Sequence, residues 1–151
     1  MNSDPAVMRY FPALLTREES DRAADWIEEQ LVRRGFTLYA AEARETAEFI
    51  GFIGLSVPSF MDAVEIGWRL IPAWWNRGLA TEGARAVLRH AFADLGLEEV
   101  VAFTVPANEP SRRVMEKIGM THDASRDFDH PRISEDHPLR RHLLYRIGRG
   151  G

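Results

Sequence analysis

The sequence predicts an α/β fold built on a largely antiparallel sheet, and three observations carry that prediction. The 151 residues suffice for one core, and 45% hydrophobic with 28% charged residues is the balance of a folded, water-soluble chain. Three runs of strand character follow one another between short polar connections, which suits neighbouring antiparallel strands. A helical stripe then separates the third run from a further apolar run, the pattern of a crossover connection. Residues 1–151 are read as a single domain, with neither repeats nor a linker.

Each element has its own signal. Thr16-Arg17-Glu18-Glu19 has the S/T-x-x-E form of a capping box, and Ala23, Ala24, Ile27, Leu31 and Val32 recur behind it at helical spacing until Gly35. A shorter helix is expected before it, with Pro5 in its first turn, Val7 and Met8 inside and Pro12 closing it. Residues 36–41, 48–55 and 63–70 are the three strands, joined by polar loops at 42–46 and 58–62. From Thr81, the residues Ala84, Val87, Leu88, Ala91, Phe92 and Leu95 form an apolar helical stripe that ends at Gly96. Residues 100–105 form a short buried strand, and 111–118 a second helix closed by Gly119. Residues 120–138, rich in Asp, His and Pro, lack periodicity and are expected to be a long loop before a last strand at 142–147.

Composition narrows the function classes. A net charge of −4 weighs against a dedicated nucleic-acid binder, which needs a concentrated basic surface. No run approaches the roughly 18 apolar residues of a membrane span, and Met1-Asn2-Ser3-Asp4-Pro5 lacks the basic and apolar regions of a signal peptide, so a cytoplasmic protein is expected. The absence of cysteine excludes disulfides, thiolate zinc sites and a cysteine nucleophile.

The chemistry concentrates between a strand and a helix, in Trp74-Trp75-Asn76-Arg77-Gly78-Leu79-Ala80-Thr81-Glu82. Small residues at Gly78 and Ala80 let backbone N–H groups approach an anion, and a helix N-terminus adds partial positive charge, so a diphosphate would fit. A plain turn at Gly78 with packing at Ala80 explains the same residues.

Arg77-Gly78-Leu79-Ala80 resembles the pyrophosphate loop of the GNAT superfamily of acyl-CoA-dependent N-acetyltransferases, in a shortened R-G-x-A form. Glu65-Ile66-Gly67-Trp68 together with Arg77 through Glu82 resembles the branch related to RimJ and RimL, the ribosomal-protein N-terminal acetyltransferases. The stretch from Asn108-Glu109-Pro110-Ser111 to Gly119-Met120 is similar to that branch's N-x-x-S segment. The three stand in the family's order. The resemblance implies a GNAT-like sheet with helices on both faces.

It also implies a site. Acetyl-CoA would be the acyl donor, its pyrophosphate on the amides of Arg77, Gly78, Leu79, Ala80, Thr81 and Glu82. Its pantetheine arm would run along the strand at Trp68, Arg69 and Leu70, in a V between that strand and 100–105. Asn108 would contact the pantetheine, and Ser111 would lie near the sulfur. Acceptors in reach of this reading are a protein N-terminus or a small-molecule amine, with neither nucleic acid nor membrane as partner.

Amine attack on a thioester needs a neutral amine and a stabilised leaving thiol. Glu65 resembles the general-base glutamate of the histone-acetyltransferase branch. Strand alternation sets it opposite Val64, Ile66 and Trp68, so it is also readable as a solvent-facing or salt-bridged strand residue. The family's general-acid tyrosine falls at Met115, which cannot donate a proton. Ser111 is the substitute, with a place in the helix cap as its other role. Tyr145 is a second donor candidate or a packed aromatic.

Asp129-His130-Pro131 and Asp136-His137-Pro138, with Asp127 and His142, match no tight ligand spacing, so no metal is expected. The resemblance makes that segment a lid over the acceptor. Trp68 is expected in the core. The family's opening strand has no counterpart before the first helix, which leaves a sheet edge to cover and makes a homodimer one candidate cover. The same gap, with Met115, keeps open an alternative: a non-catalytic acyl-CoA-binding or interaction module.

Overall fold

The structure, a computed structural model, describes residues 1–150. Helix α1, Arg17–Arg34, starts on the capping box: the Glu19 amide donates to Thr16 Oγ1 at 3.2 Å and the Thr16 amide to Glu19 Oε2 at 2.8 Å. Gly35, with φ of 77°, ends it. Strands β1 (Leu38–Glu42), β2 (Phe49–Ser56) and β3 (Glu65–Leu70) form an antiparallel run. Helix α2, Leu79–Ala93, carries the chain to β4, Glu99–Thr104, which lies parallel to β3. Helix α3, Glu109–Lys117, follows, then the short strands β5 (Thr121–His122) and β6 (Phe128–Asp129), then β7, Arg141–Gly148. The strand order is β1-β2-β3-β4-β7-β5, with β6 also pairing β7, and β3 with β4 is the parallel pair.

The core lies between the sheet and the face of α2 and α3. Leu55, Ile66, Val100, Ala102, Tyr145 and Ile147 from the strands meet Ala84, Leu88, Ala91, Met115 and Ile118 from the helices. Gly83 lets α2 settle onto β2, because Ile53 Cδ1 occupies the space that a Cβ would need. Trp68 packs against this cluster and a second one containing Ile50, Ile53 and Leu70, so its core assignment holds.

Two expectations are corrected, and α1 forms as expected but packs little. The short helix before α1 is a series of turns, with Met8 N bonded to Asp4 O and Phe11 N to Met8 O. Too few residues precede Pro12 for propagation to offset the cost of helix nucleation. The expected loop at 120–138 contains β5 and β6, two-residue strands too short to show a period and formed by pairing with β7. The apolar stripe of α1 is largely unburied: Leu31 is 44% and Val32 88% exposed, and Gln30 is the residue the helix buries. The two later helices begin two residues earlier than their stripes suggested, at Leu79 and Glu109.

Candidate active site

The parallel pair β3/β4 is joined at a single point. Glu65 pairs with Val101, and Val101 N donates to Val64 O at 2.9 Å. Beyond it no residue pair links the strands, although β3 stays paired to β2 through Leu70 and β4 to β7 through Thr104. Two strands held on their outer edges and free on their inner ones leave a wedge between them, with Glu65 at its apex.

Register places Ser56 opposite Glu65, and Ser56 Oγ donates to Glu65 Oε2 at 3.3 Å. Burial pushes the Glu65 carboxyl up to about 8, against the weaker downward pull of that hydrogen bond. The reading of Glu65 as a solvent-facing or salt-bridged strand residue is corrected here: it is desolvated and no cation pairs with it among the described residues. A cleft of about 520 Å³ opens beside the loop that joins Ser56 to Glu65, lined by Trp26, Gln30 and Arg34 of α1 and by Pro58, Phe60 and Asp62.

At the far end of β3 the chain turns through a 3-10 turn at Pro72–Trp74 into α2. Asn76 and Gly78 both adopt positive φ, 58° and 78°. Gly78 is the N-cap of α2 and supplies no side-chain hydrogen bond, whereas Thr16 caps α1 and Asn108 caps α3 through side chains. The first amide of α2 with a helical partner is that of Glu82, bonded to Gly78 O at 2.9 Å, so the amides before it point outward. A Cβ on Gly78 would meet nothing within 4 Å, so the space beside Gly78 is open. Arg77 lies with its guanidinium 4.6 Å from the Trp74 ring centre.

Residues 1–121 match the family model described as the acetyltransferase (GNAT) domain. This chain belongs to the GNAT acetyltransferases. It is 34% identical over 121 residues to YkkB of Bacillus subtilis, covering 78% of this chain and 70% of YkkB. It is 36% identical over 133 residues to the FsC-acetyl coenzyme A-N(2)-transacetylase of Aspergillus fumigatus, covering 81% of this chain and 56% of that protein, so it spans little more than half of that relative. A crystal structure of a GNAT-family acetyltransferase from Bacillus anthracis superposes with a TM-score of 0.81 at 26% identity, over 99% of this chain and 86% of the other.

Within this GNAT frame the remaining candidate residues fall on both sides of the wedge. Asn108 is bonded at both ends of its amide: its Oδ1 accepts from the Ser111 amide at 3.3 Å and its Nδ2 donates to Thr104 Oγ1 at 2.9 Å. Asn108 therefore takes the capping role left open for Ser111, whose hydroxyl makes no hydrogen bond among the described residues. Met115 is 2% exposed, in the main core. Tyr145 is buried, stacks on His122 at 5.2 Å between ring centres and accepts at its hydroxyl from Arg112 Nε at 3.3 Å, which is the packed-aromatic role. Leu70 is core, and its carbonyl accepts from Trp75 Nε1 at 2.7 Å. Leu79 and Ala80 pack against the same cluster, while Thr81 is half-buried and Glu82 exposed.

The Asp- and His-rich segment does not form a metal group: among the described residues no three His, Asp or Glu converge to hold an ion. Asp127 accepts from the Leu144 amide and bonds His122, each at 2.9 Å. His130 and His142 join Phe60, Phe103 and Phe128 in a cluster of rings that ties the segment to the loop after β2. Burial lowers both histidines' pKa, and each contributes a neutral ring at pH 7. No described helix is long and apolar enough to cross a membrane. Two features escaped sequence reasoning, namely Ser56 as the partner of Glu65 and the setting of the Arg69 guanidinium. Ser56 was recoverable from the register of a hairpin; the setting of Arg69 depends on residues far away in sequence.

Proposed function

We propose that this GNAT acetyltransferase moves the acetyl group of acetyl-CoA to a primary amine by direct attack in a ternary complex. The observation that carries the reading is the desolvated Glu65 carboxyl at the point where β3 and β4 part. When bound, acetyl-CoA supplies a thioester carbon open to attack. Glu65 takes the proton that the amine gives up as its nitrogen bonds to that carbon and the carbon–sulfur bond breaks. A carboxyl lifted to about 8 is matched to an amine far better than an ordinary one. The Ser111 hydroxyl donates to the departing thiolate. The outward amides from Gly78 to Thr81, with the Arg77 charge beside them, fit a diphosphate. The wedge gives Trp68, Arg69 and Leu70 an unpaired edge for the pantetheine, with Asn108 at its mouth.

The acceptor is a protein N-terminus, as in the branch that the RimJ/RimL-like motifs resemble, or a small-molecule amine, and the motifs do not choose between the two. Leu31, Val32 and the unpaired outer edge of β1 support a homodimer, and sedimentation equilibrium showing a monomer at all concentrations would remove it. The binding-module reading retains one favourable observation, Met115 buried where the family places its acid.

Thiol release decides between the two readings. Mixed with acetyl-CoA and an amine panel, the chain is expected to release free thiol in proportion to amine acetylated. Saturable acetyl-CoA binding with no thiol release from any amine would establish the binding module instead.

A further inference from the structure

Arg69 carries a charge that nothing among the described residues neutralises. Its Nη1 donates to Asn2 Oδ1 at 2.8 Å, and its Nε is buried without a hydrogen-bond partner. The Phe11 and Phe52 rings lie 4.1 and 5.2 Å from the guanidinium carbon. Burial pulls its pKa down to about 10. No carboxylate reaches it among the described residues, whereas the more exposed Arg126 and Arg146 both pair with Glu99. A neutral amide and two rings hold the guanidinium in place but leave its charge largely uncancelled, and an unpaired desolvated cation destabilises the folded chain. That combination suits a site completed by an anion from outside.

Position says which anion. Trp68 and Leu70 pack with α2, so alternation along β3 directs Arg69 to the opposite face, the one that carries Glu65. The contacts agree: Phe52 and Ser56, the register partners of Arg69 and Glu65, touch them on that face. The outward amides of α2 belong to the other side of the sheet. Gly67 lies between Glu65 and Arg69 and adds no side chain.

We propose that Arg69 seats a carboxylate of the acceptor, so that the preferred acceptors are amines that also carry a carboxylate. This rests on the reading of the chain as an amine acetyltransferase and narrows its substrate class. Glu65 and Arg69 are four residues apart on one strand, about 13 Å between Cα atoms at strand rise. The amine meets Glu65 and the carboxylate meets Arg69, a separation that favours a molecule with several atoms between the two groups over an α-amino acid.

The test compares acceptors that differ only in a carboxylate replaced by its primary amide: β-alanine, 4-aminobutyrate and 6-aminohexanoate against their amides. The native chain is expected to favour the carboxylates in kcat/KM by about tenfold, chiefly through KM. The ratio is expected to fall to near one in Arg69→Met, which keeps an apolar stem between Phe11 and Phe52, and to be partly retained in Arg69→Lys. A native ratio near one, or a ratio that survives in Arg69→Met, overturns the proposal.

Thermal unfolding with 6-aminohexanoate or its amide at matched ionic strength reads binding without chemistry. A saturable rise with the carboxylate is expected in the native chain alone, and equal behaviour of native chain and Arg69→Met overturns the proposal. Calorimetry with acetyl-CoA separates the donor as a source of the anion: lost donor affinity in Arg69→Met with the acceptor ratio intact assigns Arg69 to the donor and defeats the proposal. No thiol release with any amine would sink the acetyltransferase reading, while the unfolding arm would still decide Arg69.

Discussion

Ser56 and Glu65 face each other across the β2–β3 pair, and the serine hydroxyl donates to the carboxylate at 3.3 Å. The same two residues bound the loop that runs along the cleft beside α1. The Glu65 carboxyl is thus held from one side by a neutral donor and largely buried on the others, and that burial raises its pKa to about 8.

The Glu65 shift predicts a pH signature in stability. The folded-state pKa lies above the unfolded value of 4.5, so the folded state binds the proton more tightly. Its contribution is fully present below pH 4.5 and is lost as pH rises towards 8. Glu65→Gln removes this dependence, and its melting temperature is expected to match the native chain at pH 4.5 and to exceed it at pH 8.5. Equal pH dependence of melting in both proteins would show that Glu65 is not desolvated.

The same group predicts a kinetic signature. In the native chain kcat/KM is expected to rise with pH through a limb near 8 as Glu65 ionises, and in Glu65→Gln that limb should vanish with acetyl-CoA affinity kept. A variant with full kcat/KM at every pH would remove Glu65 as the base.

Asn108 and Ser111 separate structure from chemistry within one turn. Asn108→Ala loses the α3 cap and the Thr104 bond, costing about 1 kcal/mol and lowering the melting temperature by about 2–4 °C. Ser111→Ala keeps its amide, and so keeps the cap. It is expected to leave the melting temperature unchanged and to lower kcat by on the order of 10²-fold. An unchanged kcat would strike the serine hydroxyl from the mechanism.

Gly78 tests the diphosphate seat. Its left-handed backbone is open to asparagine at little cost, so Gly78→Asn should fold normally. Gly78→Glu places a like charge before the free amides and should weaken acetyl-CoA by about tenfold or more in calorimetry. Undiminished affinity in a folded Gly78→Glu chain would move the seat elsewhere.

Gly83 tests how closely α2 must lie on the sheet. Gly83→Leu drives a side chain into Ile53, and a loss of about 1–3 kcal/mol is expected in denaturant unfolding. No loss would mean that α2 has room to shift outward.

The elements that local chemistry governs were legible in order. Thr16 and Glu19 cap α1 as their spacing implied, and the strand runs fall within a few residues of β1, β2, β3, β4 and β7. The apolar stripe from Ala84 to Leu88 and Ala91 does face the core. What misled was pattern without tertiary support. Leu31 and Val32 keep a helical period on a helix that finds little to pack against, and the turns from Pro5 to Pro12 never gather into a helix.

By itself, the sequence determined the three helices and five longer strands, the glycine turn into α2 and the family, because capping, periodicity and backbone conformation depend on residues close together in the chain. Tertiary structure decided the electrostatics of the site. The pKa of Glu65 depends on what surrounds it after β2 and β3 pair, the parting of β3 from β4 on where their pairing stops, and the unneutralised charge of Arg69 on Asn2 and Phe11, more than fifty residues away. Desolvation and charge pairing are properties of the space around a group, and only the folded chain defines that space.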